Sequence, residues 1–60
     1  MTPDEERWAE VLAIERMYGR HARVWIAERI GALALAGDAA GVERFKEIAR
    51  RMDRLSTSRS

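Results

Sequence analysis

Placed at 100° intervals, residues 42–55 divide cleanly. Val42, Phe45, Ile48, Ala49, Met52 and Leu55 share one side of a helix, and Glu43, Lys46, Glu47, Arg50 and Arg54 share the other. The same projection gathers Trp8, Val11, Leu12, Ile14 and Tyr18 into a broad apolar stripe near the start of the chain, with Glu15 set in its middle. Between these lies a segment that is apolar almost all round in its second half. Ile26, Ile30, Leu33 and Ala34 fall on one side of it and Val24, Trp25, Ala32 and Leu35 on others. A helix with that pattern is expected to be the enclosed one. The pattern predicts an all-α fold of three helices.

Local signals set the ends. Thr2, Pro3 and Glu5 form a helix start, with Thr2 as N-cap, Pro3 at the first helical position and Glu5 completing a capping box. Asp4, Glu5 and Glu6 then sit where the helix dipole favours negative charge. Gly19 and Gly37 suit the left-handed residue just past a helix C-terminus, and Asp38 suits the N-cap of the third helix. The predicted helices are 3–18, 20–36 and 39–55, forming one domain over 1–55, with a frayed tail at 56–60 that has no apolar residue to dock.

Joints of one or two residues suggest an up-down-up bundle with the second helix at its centre, because short connections make neighbours antiparallel. Folding about Gly19 would set Val11 opposite Ala27, Leu12 opposite Ile26 and Glu15 opposite Arg23, the last two as an ion pair. Folding about Gly37 and Asp38 would set Leu33 opposite Val42 and Ile30 opposite Phe45. Gly31 and Gly41, with Ala34, would let backbones approach closely.

Sixty residues make at most one domain, and so short a chain buries only about 60% of the surface its unfolded form exposes. It has no cysteine to staple it, and its lone histidine, His21, cannot assemble a zinc site. Three helices cannot cover every large apolar residue. Trp8, Tyr18, Trp25 and Leu35 are therefore the candidate interaction residues, and a homodimer or contact with another protein is expected. The acidic start "MTPDEE" is unlike a secretory signal, and the uncharged stretch Ile30–Gly37 is less than half of the roughly 20 apolar residues a spanning helix needs. These features fit a cytoplasmic protein with no membrane association.

Net charge is +1, but it is unevenly spread. Residues 1–15 carry five acidic groups against one basic, a local −4, and residues 44–60 carry six basic groups against two acidic, a local +4. The basic end, with Arg44, Lys46, Arg50, Arg51 and Arg54, supports an alternative reading as a nucleic-acid accessory protein. Against it, Glu43, Glu47 and Asp53 interleave with the arginines, the overall charge is near zero, and Glu43 stands where a helix-turn-helix needs an apolar residue. Such a run is more simply a solvated face with i,i+4 pairs such as Glu47 to Arg51.

No catalytic constellation emerges, since a nucleophile needs a base and an orienting group within reach. Ser56, Thr57, Ser58 and Ser60 are in the tail, Thr2 is used as a cap, and His21 sits near Arg20 and Arg23 on the surface. Gly37, Asp38 and Gly41 lack the spacing and the Lys-Ser/Thr of a phosphate loop. No enzyme activity, cofactor, metal or small-molecule substrate is expected. The segments "TPDEERWAEVLAIER" and "IAERIGALALAGDAAGVERFKEIARRMDRL" resemble a family of short uncharacterised helical proteins of sphingomonad-type alphaproteobacteria. That resemblance implies a bacterial helical protein and no mechanism.

Overall fold

A computed structural model describes the backbone of residues 1–59 and the side chains of residues 1–55. Helix α1 spans Pro3–Tyr18, a 3₁₀ turn spans Gly19–His21, α2 spans Ala22–Leu35 and α3 spans Ala39–Arg59. No strand occurs among the described residues. The all-α expectation therefore holds. The helical backbone of α3 extends four residues past the predicted end at Leu55; the docking of the 56–60 side chains lies outside the described residues.

The caps form as their chemistry requires. The Glu5 amide donates to Thr2 Oγ1 at 3.2 Å and the Glu5 carboxylate accepts from the Thr2 amide at 3.4 Å, which closes the capping box. At the other joint Gly37 has φ +77°, its amide donates to the Ala34 carbonyl at 3.1 Å, and the Asp38 amide donates to the Leu33 carbonyl at 2.9 Å. That pair of bonds is a Schellman motif and satisfies the last carbonyls of α2. Asp38 Oδ1 then accepts the Gly41 amide at 2.9 Å and starts α3 on a new axis.

The first joint behaves differently from the expectation. Gly19 does take a positive φ of +55°, but its ψ of −126° leads into a 3₁₀ turn instead of a reversing loop. The Ala22 amide donates to the Gly19 carbonyl, so helical hydrogen bonding resumes at once. An antiparallel helix pair needs about two to five loop residues, and here there are none. Along the backbone, the molecule is one long bent helical run, Pro3–Leu35, joined to α3 by a tight turn.

This bend overturns the up-down-up arrangement. Asp4 meets Arg51, Arg7 meets Glu47 and Glu10 meets Arg44, so progress along α1 is progress backwards along α3. In an up-down-up bundle those two helices would be parallel. The central helix is α3, which packs against both limbs of the bent run, and not α2. The apolar pairs expected from folding about Gly19 fail with it: Leu12 is 49% exposed while Ile26 is buried, and Ala27 lies at the surface.

Among the described residues each helix contributes two to the core, Val11 and Ile14 from α1, Ala22 and Ile26 from α2, and Ile48 and Met52 from α3. The shortest dimension is 18 Å, room for two helix layers and no more. Every helix therefore keeps one side in water. For α2 this contradicts the enclosed position its all-round apolar pattern suggested, and leaves Val24 and Leu35 in solvent. Gly31 borders open space, and the close neighbour of Gly41 is its own cap, Asp38, so neither glycine serves a helix crossing.

Candidate interaction surface

Three of the four candidate interaction residues, Trp8, Tyr18 and Trp25, are partly buried against the core. The Tyr18 and Trp25 rings stack across the bend with centroids 4.7 Å apart and planes 17° from parallel. Trp25 meets Phe45 edge to face at 5.8 Å, which ties α2 to α3. Such pairs each contribute about 0.5–1.5 kcal/mol beyond their buried area. Trp8 lies under the Arg51 guanidinium, 5.2 Å from ring centre to Cζ, and like Trp25 and Tyr18 it is half-buried against the core. Leu35, the fourth, is 93% exposed. Periodicity alone shows Phe45 as a core-facing residue, but its link to Trp25 depends on where the bend places α2 and has no signal in the sequence.

The uneven charge also has a structural role. Acidic α1 lies against basic α3, and Glu10 accepts from Arg44 at 2.7 Å, with Arg7 at 2.6 Å from its other oxygen. Arg51 donates to Asp4 and to Glu47, each at 2.7 Å, and Arg7 approaches Glu47 at 3.4 Å. The hydrogen bond from Arg51, with the charge of Arg7 behind it, holds the Glu47 carboxyl below its usual range. The same bond, with Asp4, holds the Arg51 guanidinium above its own. Arg23 pairs with Asp53 of α3 at 3.0 Å. Glu15 is half-buried.

These pairs change the standing of the basic face. Of Arg44, Lys46, Arg50, Arg51 and Arg54, the first and fourth are committed to α1, and Lys46 leans toward Glu43 at 3.8 Å. Within that set, and among the described residues, only Arg50 and Arg54 lie outside these ion pairs.

The remaining surface features are apolar. Val24 is 57% exposed and Leu35 almost wholly so, both on the side of α2 turned away from its core residues Ala22 and Ile26. Between α2 and α3 runs an open seam. One hollow of about 240 Å³ is lined by Ile26, Ala27, Ile30 and Ala49 and ends at Arg23 and Asp53. A second of about 380 Å³ lies nearer the turn, lined by Ala34, Val42 and Lys46 among others. Among the described residues no group of His, Cys, Asp or Glu is placed to hold a metal ion, and no helix is long and apolar enough to cross a membrane.

The profile of a family of unknown function, DUF6961, matches residues 3–60. The chain belongs to this family. The match covers both helical runs and both joints, so the bent run, its aromatic stack and the α2–α3 hairpin all fall within the segment that defines DUF6961. No curated protein and no solved structure matches the chain.

Proposed function

We propose that the protein is a non-catalytic helical contact module that recognises a protein surface through the solvent side of α2. One observation carries the reading. Leu35, the last residue of α2, is 93% exposed, and Val24 is 57% exposed on the same side, with Glu28 between them. The ring contacts of Trp25 with Tyr18 and Phe45, and the pair of Arg23 with Asp53, hold α2 in place from behind, so its outer side is open to a partner, a second copy or another protein. A bacterial, cytoplasmic setting goes with this reading and rests on the cysteine-free composition and the resemblance to sphingomonad-type proteins.

The test separates folding from contact. Replacing Val24 and Leu35 together by serine, in dilute solution, is expected to leave thermal stability within about 0.5 kcal/mol, as for surface positions that support no packing. A larger loss would mean that both side chains serve the fold, and the reading would lose its support. For the nucleic-acid alternative, Arg50 and Arg54 lie outside the ion pairs given above, and phosphate binding through this face is expected to weaken steeply with salt.

A further inference from the structure

The seam between α2 and α3 has its own pattern. On α2 it is bordered by Arg23, Ala27, Ile30 and Ala34, and on α3 by Val42, Lys46, Ala49 and Asp53. Both sets step by four, three and four residues, the spacing by which a helix presents one continuous stripe to a neighbouring helix. α1 does not cover this stripe, because it engages Arg44, Glu47 and Arg51 on the other flank of α3. Alanines at positions 27, 34 and 49 leave the seam hollow, and its apolar floor is Ile26 and Ile30.

Arg23 and Asp53, paired at 3.0 Å, line one end of the seam, and Lys46, 3.8 Å from Glu43, lines the other together with Asp38. Lys46 and Asp53 stand seven residues apart on α3, about 10 Å along the axis, with Ala49 between them. Both are more than half exposed. If a second α3 is laid antiparallel with the symmetry axis between Ala49 and Arg50, Lys46 of each copy falls opposite Asp53 of the other. The same operation brings Ala27 near Ala27 of the second copy and closes the two hollows over Ile26 and Ile30. Any shift of one turn places Lys46 opposite a neutral residue or a basic one.

From this self-complementarity we infer that the α2–α3 seam is the face of a two-fold homodimer, in which two hairpins form an antiparallel four-helix arrangement. The inference goes beyond the proposed contact function: it concerns the seam and not the solvent side of α2, and it names the occupant as a second copy. It also fits the size of the chain, which is too short to bury a large core alone.

Sedimentation equilibrium of the full chain across a micromolar to millimolar series tests it. The wild type is expected to dimerise. Ala49→Arg, which fills the centre of the seam, and Lys46→Asp are each expected to weaken dimerisation at least tenfold, while near-ultraviolet circular dichroism of the Tyr18–Trp25 stack stays unchanged. Lys46→Asp combined with Asp53→Lys should regain most of the lost affinity, since the pair is only exchanged. A wild type that stays monomeric throughout overturns the inference. So does a dimer that ignores Ala49→Arg and is broken instead by the Val24 and Leu35 serine variant, and that outcome would leave the proposed contact function standing. Should Asp53→Lys unfold the chain by placing lysine beside Arg23, Ala49→Arg and Lys46→Asp alone decide the question.

Discussion

Two glycines with positive φ interrupt this chain, and they do opposite things to its direction. Gly37, at φ +77°, closes α2 with a Schellman pair of hydrogen bonds and hands over to Asp38, whose carboxylate starts α3 as a separate helix on a reversed course. Gly19, at φ +55°, ends the α-helical bonding of α1 but passes the chain into a 3₁₀ turn that continues as α2. A glycine of this kind therefore marks where a helix stops, while the residues after it decide whether the chain turns back. An N-cap three residues from the last helical residue permits a hairpin; an arginine and a histidine in its place, neither of them a strong cap, leave only a bend.

The sharpest way to break the comparison is to remove what the two joints share. Trp25 stacks on Tyr18 across the bend and meets Phe45 across the hairpin. Trp25→Ala is expected to cost about 3 kcal/mol, which is most of the stability of a chain this small. Urea unfolding followed by far-ultraviolet circular dichroism would measure it. If the loss is under about 1 kcal/mol, the rings are surface decoration and the bend is held by the core alone.

The next test separates the glycines themselves. A side chain at Gly19 would meet φ +55° with ψ −126°, a combination that only glycine adopts readily, whereas left-handed helical geometry at Gly37 is one that asparagine tolerates. Neither position lacks space for a Cβ, so the cost is conformational and not steric. Gly19→Asn is expected to cost about 1–3 kcal/mol, and Gly37→Asn less than about 1 kcal/mol. Equal costs in thermal melts would mean that the two joints do not differ in backbone geometry. Gly31, exposed and with nothing near its missing Cβ, gives the opposite sign. Gly31→Ala should stabilise α2 by up to about 1 kcal/mol.

The same contrast explains how far the residues alone reveal the fold. The helix starts at Pro3 and Ala39, the capping box and the Asp38 cap are local, and the sequence displays them fully. The core residues Val11, Ile14, Ile26, Ile48 and Met52 follow from helical periodicity, which does not depend on how helices are stacked. Direction is another matter, because no local signal carries it. Taking Gly19 as a reversal lays α1 along α2 instead of α3, which puts Leu12 inside and sends the rings of Tyr18 and Trp25 outward. The charge asymmetry carries the missing information. Attraction between an acidic first helix and a basic third one favours their direct contact, and an up-down-up bundle centred on α2 does not use it.

That contact supplies the smallest and most specific prediction. The ladder from Asp4, Glu10 and Glu47 to Arg51, Arg44 and Arg7 belongs to the α1–α3 boundary, while the α2–α3 boundary carries rings, an open seam and the pair of Arg23 with Asp53. Glu47 titrates below its usual range in the folded chain, so its contribution to stability is complete above the unfolded carboxylate pKa and is lost as pH falls through the lowered folded value. Exposed ion pairs are individually small, about 0–1 kcal/mol, and salt screens them. Acidification below the carboxylate range, or molar salt at neutral pH, should therefore raise amide hydrogen exchange in α1 before it does so in α2 and the first half of α3. Uniform acceleration along the chain would show that the two boundaries are not energetically distinct. Glu47→Gln should remove most of the acid dependence at that boundary and leave exchange near Trp25 and Phe45 unchanged.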